Sequence, residues 1–302
     1  MRRRNATARL LRAVLCLGLA GGLALAASGV RLRPLPPIYV DAAGAPLRQP
    51  QGVGCGASTL VVADTGNSRL VPYSIAGEQI TAGKEIRIPE LVSPSRVQVA
   101  EDGTLFALDG KSHKIFRLST AGALQGTVPV PAEPAAGAPF VQSFRRAASG
   151  DLYLLDVGTG RVVVLAPDGA LRRTIPLPAR GGSFTDLAVD SAGTVFVLDS
   201  AARRLLAARA TDTGLAPLAD GMKDEVEFPI ALAVHDGKIF VVDQSGGGIV
   251  ILGPDGSFHG HQSGMGWNVG SLRYPSDLCA LSGLLFVADR ENQRIQIFSL
   301  AD

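Results

Sequence analysis

Six times along the chain, a run of four apolar residues ends on an aspartate: LVVAD, LFALD, LYLLD, VFVLD, IFVVD and LFVAD. The aspartates are Asp64, Asp109, Asp156, Asp199, Asp243 and Asp289, at intervals of 45, 47, 43, 44 and 46 residues. Short apolar runs bounded by glycine-containing turns such as AEDGT, AASGD, DSAGT and VHDGK predict buried strands. Five residues after each aspartate, a second apolar run opens on Arg69, Lys114, Arg161, Arg204 or Arg294, with Gly248 taking that place in the fifth copy. A further short strand precedes each glycine turn. Every unit is therefore a small antiparallel meander, and a repeat of this length is that of a propeller blade.

The aspartates themselves have a local explanation. A carboxylate at a strand end accepts backbone N–H bonds from the turn that follows, and the basic residue five positions on is placed to meet it. Six acids in six equivalent turns predict a structural device, not a catalytic set.

With the repeat laid out, a family resemblance emerges. The stretches YPSDLCALSGLLFVADRENQRIQIF and QPQGVGCGASTLVVADTGNSRLVPYS resemble the NHL repeat, with its strand-ending Asp followed by Asn and Arg. Blades three to five are degenerate: SAARR stands in blade four, and GGG replaces the Asn/Arg part in blade five. The resemblance implies a six-bladed β-propeller over residues 29–302, an all-β fold.

The N-terminus differs in kind. Five arginines (Arg2, Arg3, Arg4, Arg9 and Arg12) precede an apolar run and an Ala24-Leu25-Ala26 cleavage pattern. Residues 1–28 therefore read as a secretory signal, with an uncleaved N-terminal anchor as the alternative. Cys16 lacks the small residues that precede a lipid-modified cysteine. The whole chain carries 29 Lys+Arg against 27 Asp+Glu; without the five signal arginines it has 24 against 27, a net charge of −3. That balance argues against a nucleic-acid partner, which needs a basic footprint. The expected location is secreted or periplasmic.

Ring closure is also written in the chain. Val128-Pro129-Val130-Pro131 and Ile175-Pro176-Leu177-Pro178, with an echo in Ile86-Arg87-Ile88-Pro89, fall where outermost strands belong. Proline has no donor and suits an edge strand. The same signature stands alone at Arg33-Pro34-Leu35-Pro36, while the last blade lacks a fourth strand. Residues 30–37 are therefore expected to pair with residues 294–300 and close the ring. Outside the signal only Cys55 and Cys279 remain, one in the inner strand of blade one and one in that of blade six. Their opposite strand parity points them across the seam, which predicts a Cys55–Cys279 disulfide, with two buried free thiols as the alternative.

Candidate chemistry is sparse. Aligned by their glycine and aspartate, the blades place Gly52, Arg96, Ser143, Asp186, Ala231 and Asp277 in a ring where the inner strands begin, one base and two acids at the channel mouth. The loop GMGWNVGSLRYP brings the only tryptophan, Trp267, and Tyr274 to the same face. Arg145 and Arg146 interrupt the inner strand of blade three and call for partners. His259 and His261, in HGH, are expected as a pair on one face of a peripheral strand. The resemblance extends to lactonase and lyase propellers, which work through channel histidines, acids or metals; the inner strands here offer no His, Glu or Asn at the ring positions, so those sets do not transfer. No catalytic residue, metal ligand or cofactor is assigned. The reading is a binding or scaffold module for a protein or peptide; the alternative is a degenerate enzyme holding a metal at Asp186 and Asp277.

Overall fold

The computed structural model describes residues 30–77, 79–132, 137–179, 182–219 and 222–301. The signal or anchor assigned to residues 1–28 lies outside them. Among the described residues, twenty-four strands form six four-stranded antiparallel sheets. The first blade holds β2 (Gly52–Cys55), β3 (Thr59–Asp64), β4 (Arg69–Ala76) and β5 (Gln79–Ala82). The second holds β6 (Pro94–Val99), β7 (Leu105–Asp109), β8 (Ile115–Leu118) and β9 (Leu124–Thr127). The third holds β10 (Val141–Arg146), β11 (Leu152–Asp156), β12 (Arg161–Leu165) and β13 (Leu171–Pro176). The fourth runs through β14 (Phe184–Val189), β15 (Val195–Asp199), β16 (Arg204–Ala208) and β17 (Ala216–Ala219), the fifth through β18 (Pro229–His235), β19 (Lys238–Asp243), β20 (Gly248–Leu252) and β21 (Phe258–Ser263). In the sixth, β22 (Pro275–Leu281), β23 (Leu284–Asp289) and β24 (Arg294–Ala301) are completed by β1 (Arg31–Ile38) from the other end of the chain.

The Asp-ending runs are the second strands of the blades, and in β7, β11, β15 and β23 every residue is buried. Each blade packs on a neighbour through both faces, which explains why these strands are continuously apolar where a half-exposed strand would alternate. The core is accordingly divided into clusters between adjacent blades. One joins Val53, Leu60, Val62 and Val71 of blade one to Phe286, Ile295 and Ile297 of blade six.

β1 pairs antiparallel with β24, Arg31 opposite Ala301 through Leu35 opposite Ile297, then shifts register before Ile38. Pro36 and Pro37 occupy the shift, where no donor is required. Two glutamines, Gln296 buried and Gln262 half-buried, tie the strand in place. Gln296 donates to the Leu35 carbonyl at 3.0 Å, and Gln262 of blade five accepts from the Leu32 amide at 2.7 Å while donating to the Val30 carbonyl. The seam is covalent as well: Cys55 and Cys279 form a disulfide, with Cα atoms 5.8 Å apart.

The proline signature needs one correction. In blade two β9 ends at Thr127, and Val128-Pro129-Val130-Pro131 follows it; in blade three β13 stops at Pro176; Ile86 makes only an isolated bridge to Leu70. In blades two and three the outer strand stops at or just before this proline run, which removes the next ladder donors, whereas in blade one β5 already ends at Ala82.

Candidate binding site at the channel mouth

Each repeat aspartate reaches further than the turn beside it. Its carboxylate accepts the backbone N–H of the residue 16 positions earlier: Arg48 for Asp64, Ser93 for Asp109, Phe140 for Asp156, Ser183 for Asp199, Glu227 for Asp243 and Arg273 for Asp289. The bond pins the segment leading into the inner strand to the end of the second strand. Turn contacts are secondary: Ser112, Thr159 and Ala202 amides in blades two to four, Asn67 and Asn292 side chains in blades one and six. The basic partner appears as expected at Arg69, Arg204 and Arg294, 2.6, 3.1 and 2.7 Å from its aspartate. At Asp109 the Ser112 and Ser93 bonds outweigh burial and hold the carboxyl below the usual range.

Three polar residues expected at the ring positions, Ser143, Asp186 and Asp277, are bound up with Arg145 in one buried cluster. Arg145 extends from β10 into the axis, where one Nη2 donates to Asp186 at 2.8 Å, to Asp277 at 3.1 Å and to the Leu232 carbonyl at 3.3 Å. Ser143 donates to the other Asp186 oxygen at 2.5 Å. Asp186 also accepts the Leu232 amide, and Asp277 the Val53 amide. Both aspartates are fully buried. Burial lowers the proton affinity of Arg145, but the two carboxylates outweigh it and raise it overall; burial, with Asp186 nearby, pushes the Asp277 carboxyl up against the pull of Arg96 and Arg145. Arg145, Asp186 and Asp277, with Arg96 of blade two 4.0 Å from Asp277, make a plug that links blades two, three, four and six.

A mouth of about 250 Å³ remains beside this plug. Its shape comes from a feature invisible in the sequence. Five inner strands carry a register shift at their first residues, between Pro94 and Arg96, Val141 and Ser143, Phe184 and Asp186, Pro229 and Ala231, and Pro275 and Leu278. A bulge re-aims a side chain, and Ser95, Gln142, Ile230 and Ser276, each the first residue inside one of these shifts, line the mouth. Arg96 lines it as well, with Arg290 from the turn between β23 and β24. Gly52, Ser143, Asp186, Ala231 and Asp277 do not line it.

Trp267 and Tyr274 stand outside the mouth, 67% and 40% exposed. Their loop is held from below: Arg294, almost fully buried, donates to the carbonyls of Trp267, Asn268 and Ser271, and Asn292 to that of Gly266. Arg273 lies over the indole, 3.8 Å from its centroid. The histidine pair is not formed. A register shift between Ile251 and Leu252 makes His259 the extra residue of β21, where its ring meets Ser257. The His261 ring fills the space beside Gly248, where a Cβ would collide with it, which accounts for the missing basic residue of the fifth copy. Among the described residues no group of three or more His, Cys, Asp or Glu is arranged to hold a metal ion.

Residues 272–298 match the NHL repeat family. The sixth blade is an NHL repeat. No curated protein matches the sequence. Solved structures similar to this six-bladed propeller include a catalytically inactive virginiamycin B lyase from Staphylococcus aureus with quinupristin, 14% identical over 90% of this chain and 100% of that one, TM-score 0.61. A gluconolactonase from Xanthomonas campestris is 16% identical over 90% and 98%, TM-score 0.62. A chain of a nidogen/laminin complex is 17% identical over 70% and 78%, TM-score 0.53. At these identities the similarity shows the shared propeller fold, which hosts both enzymes and binding proteins. No helix among the described residues is long and apolar enough to cross a membrane.

Proposed function

We propose that the mature chain is an extracytoplasmic binding or scaffold module that docks a protein or peptide on its mouth face. The observation that carries this reading is Trp267, an exposed tryptophan whose loop is clamped by the buried Arg294. A large side chain presented on a fixed backbone loses little freedom on binding, and tryptophan and arginine dominate interface hot spots. The seam disulfide supports an oxidising compartment, as does the signal-like N-terminus. An enzyme working through Asp186 and Asp277 is less well supported, because Arg145, Ser143 and two backbone amides already occupy their oxygens.

The test compares the purified protein with Trp267→Ala as bait for the extracytoplasmic fraction of its source. A partner held by the native protein and weakened at least tenfold by the substitution is the expected result. Equal capture by both proteins, or none by either, overturns the reading.

A further inference from the structure

We propose that the channel mouth is a carboxylate-binding site, with Arg96 and Arg290 as its donors. Arg96 is 7% exposed and lines the mouth, yet its Nε has no hydrogen-bond partner among the described residues, the nearest acid oxygen, Asp277 Oδ2, being 4.0 Å away. The Nε of Arg290, also buried, is likewise without a hydrogen-bond partner, with Glu291 Oε1 at 3.4 Å. Native proteins rarely leave a buried guanidinium N–H unmet, and one carried by a side chain that lines a cavity calls for an acceptor from outside the fold.

The surroundings specify that acceptor. The lining includes Gln51, Ser95, His113 and Gln142 and contains no carboxylate. Amides, hydroxyls and two guanidinium edges around about 250 Å³ suit a compact, planar oxyanion. Charge narrows it further. Asp277 and Glu291 already offset much of the two arginines, so the mouth has donors for a singly charged group but lacks the positive excess that a phosphate dianion needs. The carboxylate can belong to a free small acid or to an acidic residue of a docked peptide. The second source deepens the binding proposal above and rests on it; the first does not.

Calorimetric titration of the full protein with succinate, with a blocked aspartyl tripeptide and with inorganic phosphate separates these cases. Succinate or the tripeptide is expected to bind at millimolar concentration or tighter, and phosphate at least tenfold more weakly. Arg290→Gln, in the half-buried turn between β23 and β24, should weaken carboxylate binding at least tenfold without changing the melting temperature. Gln142→Glu, which puts a carboxylate into the mouth, should abolish it. Should Arg96→Gln fail to fold, those two variants still decide the matter. Binding of neither carboxylate, equal binding by Arg290→Gln, or tighter binding of phosphate overturns the proposal. Carboxylate binding with no partner captured through Trp267 leaves this site standing and removes the docking reading alone.

Discussion

Arg145 illustrates how one side chain can hold distant parts of a ring. It leaves the third blade, crosses the axis and neutralises carboxylates that enter from the fourth and sixth. A buried ion group of this kind adds little net stability over an apolar replacement of the whole set, but removing one member leaves uncompensated charge. Arg145→Met should therefore cost about 3–5 kcal/mol in urea unfolding, since Asp186 would remain buried without a counter-charge and Asp277 with Arg96 alone. Combining it with Asp186→Asn and Asp277→Asn should return most of that loss. Equal stability of the single and triple variants would show that the cluster contributes through packing alone.

At the scale of elements, the repeat and its closure were legible because they obey local rules. Apolar runs, glycine turns and strand-ending acids mark each blade, and the orphan Arg33-Pro34-Leu35-Pro36 identifies the missing strand of the last one. The bulges were not legible. Whether Gln142 or Ser143 faces the mouth depends on one unpaired residue at the start of β10, and no side-chain pattern announces it. Nor does spacing tell that Asp64 reaches 16 residues back to Arg48, a contact between segments rather than within a turn. Gln262 and Gln296, polar residues in strands, acquire meaning only once β1 lies beside them. Those bonds make the closing strand testable. Deleting residues 30–38 uncovers β24 and strips partners from both glutamines, so an open edge pairs with whatever strand is available. Gel filtration with light scattering should then find dimers or larger species where the intact protein is a single population; an unchanged mass and an unchanged melting curve would contradict the role given to β1.

Over the whole molecule, one covalent bond and one borrowed strand act on the same seam. The disulfide joins the first inner strand to the last, 224 residues apart in sequence, and sits in the cluster that packs blade one on blade six. Cross-linking so long a loop restricts the unfolded chain, by roughly 5 kcal/mol in the loop-entropy description. The folded ring is held independently by β1, so loss of the bond should lower stability without opening the propeller. Cys55→Ser with Cys279→Ser is therefore expected to lose about 2–5 kcal/mol in urea unfolding while keeping its β-sheet circular dichroism and the mass of the intact protein. The deletion of β1 makes the complementary case, since there the bond remains and the edge is exposed. If the two changes act on one structural element, combining them should cost much more than the sum of each alone. Simple additivity would mean that the strand and the disulfide stabilise separate parts of the ring, and that closure does not depend on the seam as a unit.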